Sequence, residues 1–193
     1  STCKLRCAAS RSALIAGRLC YNLRMAVNVV ILAAGQGKRM HSARPKVLHS
    51  LAGKPLLAHV LATARALKPA RICVVYGYGG EQVPDAARAA DLVFVKQQPQ
   101  LGTGHALKQA LPHFDQRKDV LVLYGDVPLL AAETLTALTA GDGERLKILT
   151  AELDDPDGYG RIVRNAKHAI TAVIEEKDAT AKQRRIREIN TGV

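Results

Sequence analysis

Tryptophan is absent from the 193 residues and phenylalanine occurs only twice. A chain so poor in large rings lacks the stacking platform on which single-stranded nucleic acid is read. Long apolar runs are missing too: no stretch approaches the roughly 20 residues a membrane-spanning helix requires. Acidic residues are absent from positions 1–24, which carry Lys4, Arg6, Arg11, Arg18 and Arg24. Without those five cations the chain holds 23 bases against 17 acids, so much of the formal charge of +11 belongs to the leader. What remains suits a moderately basic enzyme acting on polyanionic small molecules, and neither nucleic acid nor membrane is expected as a partner.

The leader "STCKLRCAASRSALIAGRLCYNLR" contains three of the four cysteines, Cys3, Cys7 and Cys20, with no nearby histidine, which is a poor zinc signature. Its apolar part is short for a secretory signal and is followed by Arg18. Residues 1–24 are read as a non-native leader or targeting extension, with Met25 as the expected start of translation. Residues 25–193 are read as a single domain, incomplete at its end. Nothing calls for an oxidising compartment, and Cys73, inside an apolar run, is expected to be a buried thiol.

From Met25 the pattern alternates. "VNVVILA" (27–33), "RICVVYG" (71–77), "DLVFV" (91–95), "DVLVLYGD" (119–126) and "LKILTAEL" (146–153) read as a series of buried parallel strands. Between them, 55–67, 103–111 and 131–139 carry apolar residues at helical spacing, while 80–90 is weakened by Pro84. The expected fold class is therefore α/β, Rossmann-like, with a mostly parallel sheet and helices on both faces. "GRIVRNAKHAITAVIEE" changes the rhythm and predicts a β-hairpin addition, and the closing "REINTGV" predicts one more strand with nothing after it.

In such a sheet ligands sit beyond the carboxyl ends of the strands. The polar, glycine-containing segments fall at those places: 33–40, 97–104 and 125–128. The first of them, "LAAGQGKRM", fits neither standard phosphate loop. A dinucleotide fingerprint needs a third glycine or alanine where Met40 stands, and a Walker A loop needs Ser or Thr where Arg39 stands. An ordinary strand-to-helix turn would explain the glycines but not the cations Arg39 and Lys46 that follow.

Those residues carry a resemblance. Leu32, Gly35, Gly37, Arg39, Met40, Pro45 and Lys46 match the L-x-x-G-x-G-x-R-M loop and following P-K of the nucleotidyltransferases that make sugar nucleotides. "QLGTGHA" (100–106), "YGDVPL" (124–129), "DDPDGYGRI" (154–162), "EEKDAT" (175–180) and "EINTG" (188–192) extend it along 27–193. Together they resemble the uridylyltransferase half of the bacterial bifunctional enzymes of UDP-N-acetylglucosamine synthesis, which join that activity to a glucosamine-1-phosphate N-acetyltransferase.

The resemblance implies a nucleotide-diphospho-sugar transferase fold and a reaction between UTP and N-acetylglucosamine 1-phosphate. It implies Mg2+ as cofactor, a cytoplasmic location and, through the acetyltransferase half, a homotrimer. It assigns Arg39 and Lys46 to the departing phosphates, Leu32, Ala33, Ala34 and Gly35 to the nucleotide, and Gln97, Gly102 and Thr103 to uracil. Tyr124 and Gly125 lie beside the nucleotide, with Asp126 as the metal ligand. Gly160, Glu175 and Asn190 would hold the amino sugar. Gln98 adjoins Gln97 and Glu176 adjoins Glu175, so both assignments rest on register. The family's second metal-holding residue, an Asn, lies further along its chain than Val193, so these residues by themselves are expected to be inactive. On residue pattern alone Asp126 could also cap the next helix, and His105 reads as a structural residue at a helix start rather than a base. The competing readings are a relative acting on another base or sugar and a non-catalytic regulatory relative.

Overall fold

The computed structural model describes residues 5–7, 26–35, 42, 44–77, 79–141 and 146–193. Its strands are β1 (Leu5–Cys7), β2 (Asn28–Ala33), β3 (Ser50–Leu51), β4 (Lys54–Pro55), β5 (Arg71–Tyr76), β6 (Leu92–Lys96), β7 (Val120–Tyr124), β8 (Leu149–Glu152), β9 (Arg161–Arg164), β10 (Ile170–Ile174) and β11 (Glu188–Asn190). The helices are α1 (Leu56–Ala66), α2 (Gln82–Ala86), α3 (Thr103–Ala110), α4 (Ala132–Leu138) and α5 (Ala181–Arg184). They gather into two compact units: β2 to α4, and β8 to β11 together with β1. No helix among the described residues is long and apolar enough to cross a membrane.

The first unit is built on a four-stranded sheet in the order β6-β5-β2-β7, parallel throughout. All six residues of β2 are buried, as a strand covered on both faces requires. On one face Val30, Leu32, Cys73 and Val75 meet Ala106, Ala110 and Phe114 in a single apolar cluster, which seats α3 on the sheet. On the other face Val29, Ile31, Ile72 and Val74 are equally enclosed. There α1 packs against β2 with Leu57, Val60, Leu61 and Ala64 buried, the stripe its helical spacing predicts. Cys73 is a free, fully buried thiol in this core, and burial pushes its pKa up to about 11. The weak segment at 80–90 yields only the five-residue α2, with Pro84 inside its first turn.

The second unit is a five-stranded antiparallel sheet in the order β1-β8-β11-β9-β10. The hairpin expected from "GRIVRNAKHAITAVIEE" is present as β9 and β10, with an irregularity between Ile170 and Ala172. One strand expectation needs correcting. The run at 146–153 forms β8, but it pairs antiparallel with β11 and β1 and does not extend the parallel sheet. Its apolar character agrees with its place in the core, where Leu149 and Ala151 are buried. Burial on both faces says nothing of a strand's direction, however, and direction was the part inferred from neighbours. The closing strand β11 lies between β8 and β9, an inner position in this sheet.

Candidate active site

The order β6-β5-β2-β7 places the topological switch at β2 and β7, whose chain connections run to opposite sides. A crevice opens at the carboxyl ends of such a pair. Here it is a cleft of about 500 Å3. Leu32, Ala33, Ala34 and Gly35 line it from the end of β2, and Tyr124 and Asp126 from the end of β7. Gln97, Gly102 and Thr103 close it from the loop between β6 and α3, and Lys46 from the turn after Pro45. Ten positions singled out in the sequence thus surround one cavity.

Each is held there for a local reason. Gly125 N–H donates to the Leu32 carbonyl at 2.9 Å, carrying the β2–β7 pairing one residue past the strand. Val127 N–H then turns back to the Tyr124 carbonyl at 3.2 Å, so Asp126 stands at the apex of a tight turn. Gly125 itself is buried and absent from the cleft lining. A Cβ there would come within 3.0 Å of Val47 Cγ1 and 3.3 Å of the Leu32 oxygen, so glycine lets the two loops approach. Lys46 opens a 3-10 turn, Lys46–Leu48, in which Val47 and Leu48 are buried anchors. Its Nζ lies 2.6 Å from Asp126 Oδ2. Asp126 does not cap a helix: α4 starts at Ala132, with Ala131 at its N-cap and no side-chain cap bond.

Gln97 is 3% exposed and its amide is committed. Nε2 donates to the Gly102 carbonyl at 2.9 Å and faces His105 Nδ1 at 3.1 Å. His105 sits in the first turn of α3 and meets Gln109, one helical turn on, at 3.2 Å. Gly102 has a φ of +92°, which favours glycine, and its carbonyl also accepts from Ala106 N–H.

Two residues of this region were not singled out in the sequence. Gln100 lines the cleft and donates from Nε2 to the Ala34 carbonyl at 2.5 Å, tying the 97–103 loop to the end of β2. Gly77 makes room for that tie: a Cβ there would land on the Gln100 amide nitrogen and 2.9 Å from the Ala34 oxygen. The sequence signal for Gly77 is a glycine directly after a buried strand, and for Gln100 its place at the head of "QLGTGHA".

Gly160, Glu175 and Asn190 lie in the second unit and come together there. Asn190 N–H donates to the Gly160 carbonyl at 2.8 Å, and a Cβ on Gly160 would sit 3.7 Å from Glu175 Oε1. Behind them is Arg161, which is fully buried. Its Nη2 lies 2.7 Å from Glu176 Oε2, Nη1 donates to the Tyr159 carbonyl, and Nε reaches the Arg184 carbonyl at 3.4 Å. Nearby, Arg164 forks onto Glu188 at 2.6 and 2.7 Å, and that carboxylate raises the guanidinium pKa above its ordinary value. Arg39 falls outside the described residues.

Among the described residues there is no cluster of three or more His, Cys, Asp or Glu able to hold a metal. Asp126 is the one carboxylate among the residues named on the cleft lining. A single carboxylate acting with substrate phosphates and water is how Mg2+ is commonly held, so this donor set fits Mg2+ in that mode and not in an all-protein cage.

The fold and cleft define a nucleotidyltransferase of the nucleotide-diphospho-sugar transferase fold. Residues 29–189 match the family described as the MobA-like NTP transferase domain, and the chain belongs to it. It is 59% identical over 168 residues, 86% of its length, to the bifunctional protein GlmU of Azoarcus sp. strain BH72, and equally so over 170 residues to that of Nitrosococcus oceani. It spans a little over a third of those relatives, 37% and 38% of their lengths. Among solved structures it resembles the inositol-1-phosphate CTP transferase of T. maritima, with a TM-score of 0.64 at 18% identity over 87% of this chain and 69% of that one. A putative glucose-1-phosphate thymidylyltransferase from Bacillus anthracis gives the same TM-score and identity over 86% and 70%. At that identity the likeness speaks for the fold.

Proposed function

We propose that this chain carries the uridylyltransfer activity of a bifunctional protein of the GlmU kind. In this reading UMP passes from UTP to N-acetylglucosamine 1-phosphate, giving UDP-N-acetylglucosamine and pyrophosphate for cell-wall precursor synthesis. One observation carries the reading: residues assigned separately to base, phosphates and metal line a single cleft at the switch point of the sheet. The identity to the GlmU relatives supports the choice of base and sugar.

The chemistry asks little beyond alignment and charge. A phosphate oxygen of the sugar phosphate attacks the α-phosphorus of UTP, the new P–O bond forms, and the bond to the β-phosphate oxygen breaks to release pyrophosphate. The nucleophile is already an anion, so neither a general base nor an activated serine is required. The backbone from Leu32 to Gly35 lines the nucleotide, and the glycines of this loop let N–H groups approach the phosphates. Lys46, with Arg39, supplies positive charge where pyrophosphate departs. Asp126 would hold Mg2+, which supplies charge neutralisation on the phosphates. Gln97, Gly102 and Thr103 face the uracil, and Gly160, Glu175 and Asn190 hold the amino sugar. The assembly implied is a homotrimer formed through an acetyltransferase half.

The test is product formation by the full-length protein with UTP, N-acetylglucosamine 1-phosphate and Mg2+, compared with GTP and with mannose 1-phosphate. UDP-N-acetylglucosamine and stoichiometric pyrophosphate from the first pair alone are expected. Equal turnover with GTP or mannose 1-phosphate would transfer the reading to another sugar nucleotide, and no turnover with any pair would remove it.

A further inference from the structure

The carboxamide of Gln97 cannot be turned round. Gly102 O, 2.9 Å away, only accepts hydrogen bonds, so the amide NH2 must face it and not the amide oxygen. The same NH2 lies 3.1 Å from His105 Nδ1, and an NH2 only donates. His105 therefore accepts at Nδ1 and carries its proton on Nε2; the Gln109 amide, whose nitrogen stands 3.2 Å from Nε2, accepts that proton once its two ends are exchanged. Both amide protons of Gln97 are then spent on the protein. Among the described residues the Gln97 Oε1 has no hydrogen-bond partner and is not one of the sealed-off polar atoms. The side chain is nine-tenths buried yet lines the cleft.

We infer that His105 is a positioning residue for base selection: by accepting from Gln97 it leaves only the Gln97 carbonyl oxygen for the base, which matches a ring N–H and repels a ring nitrogen lone pair. The inference rests on the reading that this cleft holds the nucleotide base. Uracil offers N3–H to such an acceptor, whereas cytosine presents a bare N3 there. Loss of the Nδ1 acceptor frees one amide proton and lets the carboxamide rock or flip, at which point it offers N–H as readily as oxygen. Gly102 O remains as one anchor, so discrimination weakens without vanishing. His105 touches no reacting atom in this account and is not a base.

Binding separates this from a packing role. Isothermal titration calorimetry with UTP, 5-methyl-UTP and CTP, each with Mg2+, is applied to the full-length protein and to its H105A and H105N variants. Asparagine places its Oδ1 where histidine has Nδ1 and retains an acceptor. Wild type is expected to prefer UTP over CTP, and H105A to lose about tenfold to a hundredfold of that preference, the size of one misdirected buried hydrogen bond. UTP and 5-methyl-UTP, which share N3–H, should weaken together. H105N should restore most of the preference. An H105A variant that keeps the wild-type UTP:CTP ratio overturns the inference, as does an H105N variant as impaired as H105A with an unaltered circular dichroism spectrum. Absence of UTP binding by the wild type would instead overturn the base-site reading, and this inference with it.

Discussion

Lys46 Nζ and Asp126 Oδ2 stand 2.6 Å apart at the rim of the cleft, joining the turn after Pro45 to the turn after β7. Both side chains are partly open to solvent, at 43% and 26%. A pair that exposed contributes roughly 0–1 kcal/mol to folding. Its interest lies in its position. The carboxylate suited to Mg2+ and the ammonium suited to pyrophosphate each compensate the other when the site is free of ligand. Asp126→Asn keeps the shape and removes the anion, so thermal stability should change little while Mg2+-dependent turnover of the full-length protein collapses. Lys46→Ala should lower kcat by roughly 10²–10³-fold, the cost of a transition-state charge partner. A loss of Tm beyond a few degrees with intact turnover would make the pair structural.

Gly77→Ala tests how the 97–103 loop is held. The added methyl overlaps the Gln100 amide nitrogen and presses on the Ala34 carbonyl, so the Gln100 side chain must leave. Gly77 does not take a left-handed conformation, so alanine costs little backbone strain of its own. The expected result is weaker UTP binding with a stability loss of about 1–3 kcal/mol. Gln100→Ala should reproduce the binding defect with a smaller stability loss. Wild-type affinity in both variants would show the tie to Ala34 to be dispensable.

These two sites differ in how far the sequence exposed them. Ala34, Asp126 and Gln97 could be found because each follows an apolar run, and in a parallel sheet that is where ligands sit. Gln100 and Gly77 depend on a meeting 23 positions apart that no local pattern records. The direction of β8 was similarly hidden, because its partners β1 and β11 both lie far from it in the chain. Arg161 was passed over for another reason. An arginine beside "IVR" in a strand looks solvent-facing, and only the fold reveals Glu176 opposite it. Short-range periodicity thus showed the sheet and the cleft, while partners set by tertiary contact did not show.

Cys73 gives a pH signature of the core. Burial raises its pKa from an ordinary 9.0 to about 11, so the folded state holds the proton more tightly than the unfolded state. Below pH 9 both states are protonated and the thiol adds no pH dependence. Between pH 9 and 11 the unfolded thiol ionises while the folded one stays neutral, and stability falls by up to about 1.4 kcal/mol per pH unit. Cys73→Ala should be less stable than wild type near pH 7, from the small cavity it leaves, and that gap should narrow as the pH rises toward 11. Urea unfolding of both proteins at pH 7, 9 and 10.5 measures it. A gap that stays constant would mean the thiolate is accommodated in the core.

Arg161 offers the sharpest test of the second unit. Its guanidinium is fully buried, donates to the Tyr159 and Arg184 carbonyls, and stands 2.7 Å from the Glu176 carboxylate and 3.6 Å from that of Asp157 as ion pairs, the Glu176 contact lacking hydrogen-bond geometry. It thereby fastens three segments: the approach to Gly160, the turn that follows Glu175, and the end of α5. Arg161→Met removes the charge and leaves two carbonyls and a partly covered carboxylate without their donor. Breaking a buried pair from one side costs about 3–5 kcal/mol. Glu176→Gln removes the nearer of the two anions beside the buried guanidinium, leaving Asp157 at 3.6 Å, and should also be destabilising. If the pair acts as a unit, the double variant Arg161→Met, Glu176→Gln should be more stable than the sum of the single losses predicts, by at least about 1 kcal/mol. In turnover by the full-length protein, Glu176→Gln should raise KM for N-acetylglucosamine 1-phosphate more than KM for UTP, because the residues disturbed are Gly160 and Glu175. Additive single losses would dissolve the pair as an energetic unit, and an equal rise in both KM values would detach it from the sugar.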